Sequence, residues 1–164
     1  MALLAILLLY VVIGVLAAGG SIAISSKRFS AKAEQIFYGL VLVPVAAIYL
    51  AFTAHFAASE AWRLEALTVA LFAGMGLLGT RLLVVLILGY AAHGAWDLVH
   101  ELSLYQGTSG GGPPTFTQIP LAYGAFCAAY DWCIAGYFYT RRRLWSAGRS
   151  AGPSDGLQSA APQS

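Results

Sequence analysis

Charge is scarce in this chain. Asp, Glu, Lys and Arg make up 10% of its 164 residues, while 59% are hydrophobic. A soluble domain carries roughly 25% charged residues, and a chain of this length cannot enclose so much apolar surface in a water-soluble core. A soluble globular protein is therefore excluded, and the solvent that suits this composition is a bilayer. Nucleic acid is excluded as a partner, because no basic run is interleaved with aromatics and the net charge is only +2. Cysteine is almost absent. Cys127 and Cys133 share one apolar stretch. On a helix their spacing turns them about 120° apart, so they read as small packing side chains rather than a disulfide. The H-E-x-x-H motif of zinc proteases and any internal repeat are missing too.

What the chain does have is long apolar runs. The first, 2–24, has no positive flank before it; Lys27, Arg28 and Lys32 follow it. That order favours a retained helix with a translocated N-terminus over a cleaved signal. The second, 36–57, contains Pro44, which neighbouring helices can accommodate. The run from Leu64 to Leu104 would be roughly 60 Å long as one helix, against a hydrocarbon core of about 30 Å. A hairpin turning near Gly79-Thr80-Arg81 divides it into spans at 64–79 and 82–103, with a re-entrant hairpin as the other solution. The last span, 119–140, ends at Arg141-Arg142-Arg143.

Five spans with the N-terminus outside put Lys27, Arg28, Lys32, Arg81 and Arg141–Arg143 on the cytoplasmic side, leaving Arg63 outside between Glu60 and Glu65. Four spans, the alternative, would divide these cations between the two faces, against the positive-inside rule. The expected architecture is an all-α, multi-pass bundle of five transmembrane helices in the bacterial inner (plasma) membrane. Residues 105–118, rich in glycine and proline, form an irregular external loop. The Ser/Ala/Gly/Pro/Gln stretch 146–164 forms a disordered cytoplasmic tail.

Against this background, residues 89–101, GYAAHGAWDLVHE, stand out. With His93 at zero on a helical wheel, Asp97 lies at about +40°, His100 at about −20° and Glu101 at about +80°. The fifth span adds Asp131 deep inside it, with Gly124, Cys127, Ala128 and Ala135 on the same face permitting close helix packing. A charged aspartate at mid-membrane costs about 2.5–3.5 kcal/mol on insertion scales. No lysine lies within a span to offset it. Asp97 and Asp131 must each keep a proton, face a histidinium, or hold a metal cation.

Three chemistries follow. His93, Asp97 and His100 could chelate one ion with Asp131 as fourth ligand, a donor set that suits Zn²⁺ or Fe²⁺. Without a metal, a neutral Asp131 could protonate a lipid or isoprenoid-like molecule while a histidine removes a proton elsewhere, with Asp97 the other catalytic candidate. Alternatively the groups are interhelical ties, about 0.6–2 kcal/mol each, in a non-enzymatic binding protein or a structural subunit of a larger membrane complex. His55, Glu101 and Tyr130 are candidates to support the ligands or replace one of them. His55 and His100 would be the pair for a haem, a weaker reading.

The blocks GYAAHGAWDLVHE and IPLAYGAFCAAYDWCIAGY resemble those of a family of small bacterial integral membrane proteins that pairs an H-x-x-W-D-x-x-H helix with a proline-led helix ending F-C-x-x-Y-D. His93, Trp96, Asp97 and His100 match the first block; Phe126, Cys127, Tyr130 and Asp131 match the second. Glu101 stands where the family would place a further histidine, so the resemblance supplies no fifth ligand. It brings no established activity and implies only which residues matter.

Overall fold

The computed structural model describes residues 1–56, 58–107 and 116–150. It is all-α, with helices α1 (Ala2–Arg28), α2 (Ala31–His55), α3 (Trp62–Gly79), α4 (Leu83–Gly107) and α5 (Tyr123–Ser150), and a single 3-10 turn at Ser59–Ala61. No strand occurs among the described residues. The helices α1 to α4 are long and apolar enough to cross a membrane. Helix α5 is less apolar, because Tyr130, Asp131, Trp132 and Tyr137 interrupt its aliphatic content. Ala57, residues 108–115 of the expected loop and residues 151–164 of the expected tail lie outside the described residues.

The ends of the helices follow local chemistry. Ser30 caps α2, its hydroxyl accepting the Ala33 N–H at 3.4 Å. The carbonyls at the end of α3 are met from α2: Gln35 Nε2 donates to Gly79 O and Lys32 Nζ to Thr80 O, both at 2.7 Å. The long apolar run breaks between these helices, at Thr80–Leu82. Helix α5 starts at Tyr123, later than the expected 119, because Ala122 sits in the left-handed region at φ 61°. It continues to Ser150, so residues 146–150 are helical rather than part of a disordered tail. Arg and Ala are good helix formers, and no proline occurs between Pro120 and Pro153 to stop the helix.

Helix α5 packs along α4 on one side and α1 on the other, α2 pairs with α3, and α3 with α4. Facing glycines let α2 and α3 touch: a Cβ on Gly39 would lie 2.7 Å from Gly76 O, and one on Gly76 would lie 2.6 Å from Gly39 O. The core gathers Ala18, Tyr38, Leu42, Leu86, Tyr90, Ile134 and Phe138. Outside it the surface is apolar. Leu16 is 68% exposed, Leu67 64% and Val84 67%, a coat that water would not tolerate and acyl chains would.

The sequence places Glu65 only as an outer-side flank of Arg63. It is fully buried. The reason is helical phase: Glu65, Phe72, Gly76 and Gly79 form the inward stripe of α3.

Candidate functional site

One stripe of α4 builds most of the site. Leu83, Leu86, Tyr90, His93, Asp97 and His100 recur every three or four residues, and all are buried. The stripe changes from aliphatic to ionisable halfway along. Asp131 meets it from α5. His93 Nδ1 lies 2.7 Å from Asp131 Oδ2 and 3.3 Å from Asp97 Oδ2. The three side chains are at most 1% exposed.

The surroundings fix each group. Tyr49 of α2 donates its hydroxyl to Asp97 Oδ1 at 2.5 Å. The His93 ring is walled by Phe72 at 4.8 Å and Tyr49 at 6.1 Å between centroids. Six buried side-chain atoms among the described residues keep no hydrogen-bond partner, and three of them belong to this cluster: His93 Nε2, Asp131 Oδ1 and Asp97 Oδ2, the last within ion-pair reach of His93 Nδ1. Buried polar atoms are nearly always paired, so three orphans in one cluster point to a missing species. One ligand atom from each of His93, Asp97 and Asp131 lies within 4.8 Å of the others, and the group could hold a metal ion. Lys27, Arg28, Lys32, Arg63 and Arg81 stand at helix ends or in turns, and Arg141–Arg143 follow the apolar part of α5. None of them is ion-paired with Asp97 or Asp131 among the described residues.

His100 is not part of the group. Its Nε2 faces Glu65 Oε1 at 2.7 Å, and its Nδ1 faces the Trp96 carbonyl at 3.1 Å. A carbonyl only accepts, so Nδ1 carries a proton. Nε2 then needs one further proton between itself and the Glu65 carboxyl. Glu65 Oε1 also accepts the Thr117 N–H at 3.1 Å, and the Tyr49 ring lies 4.4 Å from that of His100. With both ring nitrogens engaged, His100 offers no lone pair to a metal or a haem. His55, the other expected haem ligand, is exposed at the end of α2 and meets Phe56 edge-on.

Glu101 and Tyr130 do other work. The Glu101 carboxylate caps α5, accepting Ala122 N–H at 3.1 Å and Gly124 N–H at 3.0 Å, and Tyr105 OH at 2.5 Å. Tyr130 pairs with Ser21 of α1 at 3.2 Å. At the opposite end of the bundle Glu34 takes Ser25 Oγ at 2.6 Å and Tyr137 OH at 2.9 Å, and Arg141 donates to the Tyr137 hydroxyl at 2.5 Å.

Sequence reading missed Tyr49 and Glu65 as site neighbours. A signal existed for both. Tyr49 falls on the same inward stripe of α2 as Leu42, Ala46 and Thr53, and Glu65 on that of α3.

Fold and site together define a helical bundle with the make-up of a membrane protein and a buried His/Asp cluster at its heart. Comparison with protein-family models, curated proteins and solved structures found no match.

Proposed function

We propose that this chain is a five-span inner-membrane protein, N-terminus outside, whose His93, Asp97 and Asp131 bind one divalent metal, Zn²⁺ or Fe²⁺, for chemistry on a lipid-like molecule. The observation that carries this reading is the convergence of two buried carboxylates on one imidazole, with neither carboxylate ion-paired to a lysine or arginine among the described residues. Charge balance is compatible with it. Two carboxylates, a neutral imidazole and a dication sum to zero, as do a histidinium, one carboxylate and one protonated acid in the metal-free case. One nitrogen and two oxygens leave a position open, as in catalytic metal sites. A metal held by His93, Asp97 and Asp131 would supply hydrolytic or acid/base chemistry near neutral pH. Tyr49 would orient Asp97 as an outer partner of the metal.

The orientation has its own support. The contacts Lys32–Thr80 and Glu34–Tyr137–Arg141 gather the cationic ends of α2, α3 and α5 at one end of the bundle. A second reading rests on the direct His93–Asp131 contact at 2.7 Å: a metal-free acid/base pair with a proton in place of the ion. Metal analysis of detergent-purified protein separates the two. One equivalent of zinc or iron in wild type, lost in His93→Ala and Asp131→Asn, is expected. Folded wild type without stoichiometric metal, even after zinc or iron is offered, would remove the metal centre and leave the acid/base pair.

A further inference from the structure

A cavity of about 370 Å³ opens beside the cluster, between α2 and α5. Its walls are apolar: Val41, Val45, Ile48 and Phe126. Its polar groups are the Tyr123 and Tyr130 hydroxyls, the Cys127 thiol and Asp131, and Asp131 Oδ1 has no hydrogen-bond partner. A second groove of about 390 Å³, between α1, α4 and α5, is lined by Val15, Leu98 and Ala129 among others and contains no carboxylate. The two are matched in size, and only the first leads to an ionisable cluster.

We infer that the α2/α5 cleft binds the chain of an uncharged long-chain alcohol, entering sideways from the bilayer, with its hydroxyl donated to Asp131. This deepens the reading above and rests on it for the identity of the reactive centre. Three observations set the ligand class. The volume falls in the range of small-molecule sites, about 300–1,000 Å³. The lining holds no lysine or arginine to pair with an anionic headgroup. Val45 stands mid-way along α2, at hydrocarbon depth in a spanning helix, where a phosphate or ammonium headgroup would be costly. The unpaired Asp131 oxygen calls for a hydrogen-bond donor, and a hydroxyl supplies one without charge. Ordinary acyl tails fill any lipid-facing groove but lack a donor at their buried end, so they do not meet this requirement.

The test uses the full chain in nanodiscs and two photoreactive probes, a hexadecanol and a hexadecane with a diazirine at the same carbon. Labelled residues are mapped by mass spectrometry, and metal is measured on the same samples. The alcohol should label Val45, Ile48 or Phe126 saturably, be displaced by unlabelled hexadecanol, and outcompete the alkane by about tenfold, the value of one charge-assisted hydrogen bond. Val45→Trp should remove this labelling and leave the metal content unchanged. Asp131→Asn should reduce the alcohol toward the alkane. Non-saturable labelling equal to that at Val15 and Ala129 would mean bulk lipid only and would overturn the inference, whatever the metal content. Saturable cleft labelling without metal would uphold the cleft and overturn the metal centre. The wild-type saturation curve stands even if a variant fails to fold.

Discussion

Adding one methyl group at Gly124 pushes on the seam that carries the site. A Cβ there would strike the Asp97 carbonyl oxygen, lie 2.8 Å from Glu101 Cβ and 3.1 Å from Glu101 Oε2. Carbon contacts are comfortable at about 3.5–4.0 Å, so α5 must retreat from α4 by roughly 0.7 Å or more. The main obstacle is backbone and cannot rotate away. Overpacking of this kind costs about 1–3 kcal/mol, and the upper end applies here. The retreat also stretches the reach from α4, which carries His93 and Asp97, to Asp131 on α5. Gly124→Ala should therefore lose about 3 kcal/mol in detergent unfolding assays and bind metal more weakly. Gly136→Ala is the control on the same helix, since a Cβ there meets nothing within 4 Å. It should be neutral or gain up to about 1 kcal/mol from helix propensity. If the two variants are equally stable and equally loaded with metal, the close α4–α5 approach does not exist as described.

Tyr49→Phe keeps the ring on His100 and removes only the bond to Asp97, so metal affinity should fall about 10–100-fold and stability by about 1–3 kcal/mol as Asp97 Oδ1 loses its donor; competition with a zinc dye and unfolding in detergent read these. His100→Asn breaks the pair with Glu65 and should destabilise the fold by about 3–5 kcal/mol while metal stoichiometry stays at one equivalent, because His100 is not a ligand; loss of metal from a folded His100→Asn would contradict the assignment. Glu101→Ala strips two backbone N–H groups and the Tyr105 hydroxyl of their acceptor, and should cost about 2–4 kcal/mol, measured by unfolding in detergent.

The helical architecture and the choice of His93, Asp97 and Asp131 were legible in the sequence for physical reasons. Apolar runs of membrane length admit few folds, and ionisable groups on one inward face of α4 have nowhere to go but a shared interior. Asp131 was legible because small residues surround it. The partner of His100 was not. Glu65 lies near Arg63 at the start of α3 and reads only as a flank of that cation, and the phase set by Phe72 and Gly76 turns it inward. Glu101 was ambiguous in the same way. Its position past the stripe suggested a wet helix end, whereas the left-handed Ala122 brings the start of α5 onto its carboxylate. Both cases depend on contacts between helices, which no wheel of a single helix contains.

X-ray absorption at the K-edge of the bound metal tests the central claim most directly. The account predicts oxygen and nitrogen neighbours at about 2.0–2.2 Å, with the scattering signature of a single imidazole that disappears in His93→Gln and persists in His100→Gln. A spectrum with two imidazoles or a sulfur neighbour, or one that His93→Gln leaves unchanged, would contradict it.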